Sequence, residues 1–144
     1  MIILIPSYEP DRRLLELVAA LAPRQVLVVD DGSGPVYAHG FAAAERAGAV
    51  VAHHQRNRGK GQALRTGFAT IAELWPGQDV VCADSDGQHT PADIEKVAAR
   101  LAAGDAHLVL GVREFTGRVP LRSLFGNRLT ALLFRASTGL AIRD

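Results

Sequence analysis

The 144-residue chain holds one cysteine, Cys82, which excludes an internal disulfide and a zinc site built from cysteines alone. Its formal charge is +1, so it lacks the basic excess of a non-specific nucleic-acid binder. No apolar run approaches the roughly 20 residues needed to span a bilayer. The start, Met1 to Pro6, has no basic segment ahead of its short apolar run, so it reads as a strand and not as a signal peptide. Lysine is scarce: only Lys60 and Lys96. Two phosphate-binding signatures are also missing. No G-x-G-x-x-G follows the first strand, and the Gly59-Lys60-Gly61 loop lacks Walker A spacing. What remains is 48% hydrophobic and 22% charged, an ordinary soluble globule of one domain, residues 1–144. The expected location is the cytoplasm.

The pattern alternates short apolar runs with helical periodicity. Strands are expected at 2–5, 25–29, 50–53, 79–83 and 107–111. Helices are expected from Pro10 to before Pro23, over 36–47, over 59–74 with Ala63, Leu64, Phe68 and Ile71 on one face, and from Pro91 to Ala103. A long amphipathic segment follows over 121–138. This rhythm implies an α/β fold with a mostly parallel sheet covered by helices on both faces. In such sheets ligands sit at the carboxyl ends of the strands. The unusual residues gather there, in five loops: 6–9, 30–33, 54–61, 84–89 and 111–113.

Asp84-Ser85-Asp86 follows a buried run. Two carboxylates so spaced can turn toward one hard cation, Mg²⁺ or Mn²⁺, which shares its shell with phosphate oxygens. Gln88 offers a further oxygen, while His89 reads equally well as a solvated loop histidine. The plain alternative is an Asp-rich turn with Gly87 at its corner. Asp30-Asp31-Gly32-Ser33 fits either a ribose- or base-binding corner or a turn with a helix cap. Asn57-Arg58-Gly59-Lys60-Gly61 precedes a helix, where glycines and the helix N-terminus favour an anion. Arg113, Arg118, Arg122 and Arg128 could grip phosphates or simply solubilise the surface. His53 reads as a strand-end packing residue, Cys82 as inert core, and Phe68 and Trp75 as core. No nucleophile or acid partner is evident in sequence for His53 or His54.

Ile3-Leu4-Ile5-Pro6-Ser7-Tyr8, Val29-Asp30-Asp31-Gly32-Ser33, Asn57 to Gly61, Ala83 to His89 and Gly111-Val112-Arg113 occur in that order. Together this set resembles glycosyltransferase family 2, with its Rossmann-like GT-A fold, and within it the polyprenyl-phosphate mannosyl- and glucosyltransferases. The resemblance covers essentially the whole chain. It implies inverting transfer of a hexose from a nucleoside-diphosphate sugar of the GDP-mannose or UDP-glucose type, with Mg²⁺ or Mn²⁺, to an acceptor such as polyprenyl phosphate. Carried over by motif, Pro6, Tyr8, Asp30, Asp31, Lys60, Asp84 and Ser85 would bind the nucleotide. Asp84, Asp86 and Gln88 would hold the metal. Arg113 would contact phosphate, with Arg122 and Arg128 competing for a second such role. Asp86 and Arg113 would be the catalytic pair. The first loop departs from the family's frequent Tyr-Asn-Glu, reading Tyr8-Glu9-Pro10. Family members continue past a segment like Leu140 to Asp144, so the chain corresponds to the donor-binding half plus the start of the acceptor side. The amphipathic stretch would suit the inner face of a membrane or a membrane partner protein, or simply pack on the sheet. An alternative is a nucleotide-sugar-binding module without turnover.

Overall fold

The computed structural model describes residues 1–104 and 108–111. The chain divides into two compact units, Met1–Val109 and Leu110–Asp144. The architecture below is that of the first.

Among the described residues, four parallel strands form its sheet: β1 (Ile2–Ser7), β2 (Gln25–Asp30), β3 (Val50–His53) and β4 (Val80–Cys82), in the order β3-β2-β1-β4. All six residues of β1 are buried: the apolar run Ile2–Pro6, as the interior of a parallel sheet requires, and the polar Ser7 at its end. Alternate side chains leave opposite faces. Ile3, Ile5, Val26 and Val28 pack with Leu14 and Leu17 of α1 (Arg12–Ala20), Phe41 of α2 (Ala38–Arg46) and Ile94 of α4 (Pro91–Ala102). Ile2, Leu4, Leu27 and Val29 pack with Ala63 and Ile71 of α3 (Lys60–Leu74). Each fully buried aliphatic side chain contributes roughly 1.5–3 kcal/mol.

Several boundaries differ from expectation for clear reasons. α1 starts after Asp11, whose carboxylate accepts the Arg13 amide at 2.9 Å, so Pro10 lies outside the helix. Pro91 does open α4, behind a Thr90 cap. The buried stripe of α3 is Ala63, Gly67 and Ile71, leaving Phe68 47% exposed. A Cβ on Gly67 would lie 2.3 Å from Leu4 Cδ1, so the helix rests directly on β1 there. Trp75 is partly buried against the same cluster. Cys82 lies on β4 as expected, yet it is exposed. Residues 108–111 belong to no strand, because no described segment offers them a ladder. Residue 107 and the 121–138 segment lie outside the described residues.

Candidate functional site

The carboxyl ends of β1, β2 and β4, with the loop before α3, surround a cleft of about 330 Å³. Pro6, Ser7 and Tyr8 line it from β1, Asp31 from β2, and Asn57, Gly59 and Lys60 from the loop and start of α3. Asp84, Ser85 and Asp86 line it from the turn after β4. Four of the loops expected to carry chemistry therefore meet at one opening. The fifth, with Arg113, lies outside the described residues, as do Arg122 and Arg128.

The two acidic corners avoid repulsion because each has cationic or donor partners. Lys60 Nζ stands 2.7 Å from Asp84 Oδ1 and 2.9 Å from Oδ2. The Asp86 carboxylate folds its own turn by accepting the Gln88 amide at 2.9 Å. Arg13, a residue the motifs do not single out, donates to the Asp86 carbonyl while paired with Asp11. Asp84 is half-buried and Asp86 exposed, so both have oxygens within reach of a ligand. Ser85 and Ser7 join their hydroxyls at 3.1 Å, tying the β4 turn to β1.

No group of three or more His, Cys, Asp or Glu gathers among the described residues. Asp84 and Asp86 offer carboxylate oxygens at the cleft, which would suit a hard cation whose remaining ligands are phosphate oxygens and water.

Asp30 and Asp31 are buried and internally bonded. Asp30 accepts the Ser33 amide at 2.9 Å and meets His53 Nδ1 at 2.9 Å. His53 is half-exposed and sets its ring edge-on to Phe41. Asp31 bonds His54 Nδ1 at 2.7 Å, the Arg58 amide at 3.0 Å and the Gly59 amide at 2.8 Å. Burial pushes the Asp31 carboxyl up, but the bonds from His54, Arg58 and Gly59 outweigh it and hold the group below its usual 3.8. A carboxyl depressed on folding stabilises the protein above its unfolded value, and that contribution fades as pH falls through the folded value. Urea midpoints at pH 6 and pH 3 should thus fall further in the wild type than in Asp31→Asn. Equal losses would assign the acid sensitivity to the exposed carboxylates Asp11, Asp93 and Glu95.

At the mouth, Glu9 adopts a left-handed φ of 49° and donates its amide to Ser33 Oγ at 2.8 Å. Its carboxylate, hydrogen-bonded to the neighbouring Tyr8 phenol, pushes that group up from its usual value. Tyr8 is 48% exposed, a ring at the cleft's edge. His54 is what motif reading missed: its side chain is 6% exposed and carries a bond at each ring nitrogen.

The model for "Glycosyl transferase family 2" matches residues 2–134. The chain belongs to this family. A relative from Pseudomonas paraeruginosa, undecaprenyl-phosphate 4-deoxy-4-formamido-L-arabinose transferase, is 31% identical over 99% of the chain and 43% of its own length. The UDP-N-acetylglucosamine–dolichyl-phosphate N-acetylglucosaminyltransferase of Methanococcus voltae is 37% identical over 54% of the chain and 32% of its own length. An uncharacterised protein of Methanocaldococcus jannaschii is 28% identical over 99% of the chain and 62% of its own length. The chain thus spans between about a third and three-fifths of these curated relatives. Among solved structures, S. aureus TarS 1–349 aligns over 71% of the chain and 32% of its own, with a TM-score of 0.53 and 19% identity. The fold is that of a GT-A glycosyltransferase. No helix among the described residues is long and apolar enough to cross a membrane.

Proposed function

We propose that this family 2 chain binds a nucleoside-diphosphate sugar in the β1–β2–β4 cleft and takes part in inverting hexose transfer to polyprenyl phosphate. The observation that carries this is the meeting of Lys60, Asp84 and Asp86 with the N-terminus of α3 at one opening. In this reading the first-turn amides of α3 and Lys60 attract the diphosphate. Tyr8 and Pro6 border the nucleoside, and Asp31 accepts a hydrogen bond from it. Ser85 holds the β4 turn against Ser7. Asp84 and Asp86, aided by Gln88, are the residues to hold Mg²⁺ or Mn²⁺, whose charge offsets that building on the leaving diphosphate. By the family motif, Arg113 would contact phosphate, with Arg122 and Arg128 competing for a second such role; all three lie outside the described residues.

The acceptor assignment draws on relatives named for undecaprenyl and dolichyl phosphate. A phosphate acceptor is already ionised at neutral pH and needs no general base. The site of action would be the cytoplasmic face of a membrane, reached peripherally or through a membrane partner. A second reading is donor binding without turnover: among the described residues, those lining the cleft suit the donor and its metal.

Calorimetric titration with GDP, UDP, GDP-mannose and UDP-glucose, with and without Mn²⁺, tests the donor site. One nucleotide class should bind, and only with metal; no binding by the folded chain would overturn the proposal. Transfer of labelled hexose to polyprenyl phosphate in vesicles then separates the two readings.

A further inference from the structure

β2 and β3 pair in parallel with Asp30 opposite His53. The next residues, Asp31 and His54, therefore leave the sheet side by side. The His54 amide donates to the Asp30 carbonyl at 2.8 Å, which extends the ladder by one rung and fixes the backbone beneath the ring. The ring is held at both ends. Nδ1–H donates to Asp31 Oδ1 at 2.7 Å, and Nε2 lies 2.9 Å from Thr66 Oγ1 on α3. Because a carboxylate only accepts, the proton must sit on Nδ1, and the Thr66 hydroxyl can complete Nε2.

The Asp31 carboxylate offers about four acceptor positions. His54 and the Arg58 amide both bond Oδ1, and the Gly59 amide bonds Oδ2. Three positions are filled from within the protein. Among the described residues nothing fills the fourth, on Oδ2 of a residue that lines the cleft.

We infer that His54, anchored by Thr66, is a positioning residue that saturates Asp31 Oδ1 and leaves Oδ2 as the acceptor presented to the nucleotide. The inference rests on the donor-site reading and adds its selectivity. A base that presents a ring N–H, as guanine and uracil do, satisfies that acceptor. Cytosine presents an unprotonated N3 at the corresponding edge and opposes acceptor to acceptor. His54 thereby acts on base choice without touching the ligand.

The test measures the Mn²⁺-dependent affinity of the full chain for UDP, GDP and CDP in the wild type and four variants. The wild type should prefer UDP or GDP over CDP. In His54→Ala that preference should fall about tenfold, the effect of one lost hydrogen bond to a charged group. His54→Asn places an amide donor near the Nδ1 position and should retain the preference. His54→Gln places its amide near the Nε2 position and should lose it. Thr66→Val should reduce it partially. Circular dichroism confirms that each variant folds; if His54→Ala does not, the Asn and Gln pair carries the comparison.

Equal weakening toward all three nucleotides would mean a merely structural histidine and would overturn the inference. So would a preference unchanged in His54→Gln. A wild type that binds no nucleoside diphosphate overturns the donor-site reading itself. One that binds without preferring UDP or GDP overturns only the role of His54.

Discussion

Gly32→Ala will destabilise the protein by more than about 3 kcal/mol, a large share of the 5–15 kcal/mol typical of a domain. Gly32 has a φ of +76°, and a Cβ there would sit 2.1 Å from the Arg56 carbonyl carbon and 2.5 Å from the Asn57 nitrogen. Those atoms are backbone, so no rotamer change relieves the contact. Relief requires the turn after β2 to part from the loop before α3. That parting pulls Asp31 from the Arg58 and Gly59 amides and opens the cleft wall. Gly77→Ala is the internal control. Its φ is +76°, as at Gly32, but nothing lies within 4 Å of its Cβ position. It should cost only the conformational strain, about 1–2 kcal/mol. Urea midpoints for the two variants measure the difference; equal losses would show that close approach contributes nothing.

Asp84→Asn should weaken Mn²⁺-dependent nucleotide binding by about thirtyfold or more, equivalent to ~2 kcal/mol for losing one partner of a charge pair at a binding site. Stability should barely change. The Lys60–Asp84 pair is 61% and 33% exposed on its two sides, and such pairs are worth at most about 1 kcal/mol once solvent screening is counted. This split separates a ligand-binding carboxylate from a structural one. A binding isotherm like the wild type's would remove Asp84 from the site, and a collapse of the melting midpoint would make it structural.

The sequence carried most of the scaffold because parallel strands announce themselves as short apolar runs between helical stretches. Ile2–Ile5 and Gln25–Val29 were legible in this way, and both extend a residue or two further as β1 and β2. The Asp84 and Asp31 corners were legible because Asp, Gly and Ser cluster after such runs. Phe68 was misplaced because pattern reading counts apolar side chains, whereas the inward stripe of α3 is centred on a glycine. Cys82 is misplaced because, among the described residues, β4 pairs with β1 alone and the Cys82 side chain is left exposed. His54 was invisible for a different reason. Its partner Asp31 is 23 residues away, and only the β2–β3 register brings the two together. Arg13 likewise reaches the β4 turn from α1, 73 residues distant in sequence.

The seat of Gly67 on Leu4 bears on how quickly and at what entropic cost the cleft can be filled. With only the Leu4 side chain between the helix backbone and the central strand at this point, α3 is seated closely on β1. The amides at its start are thus set relative to β1 before any ligand arrives. Adjustment falls to the fringe, to exposed Tyr8, Lys60 and Asp86, whose torsions relax on the picosecond-to-nanosecond scale. Encounter should then proceed without a slow backbone rearrangement, with association rates in the ordinary range for a preformed pocket. The ordering cost should be confined to a few rotamers, about 0.5–1.5 kcal/mol for each.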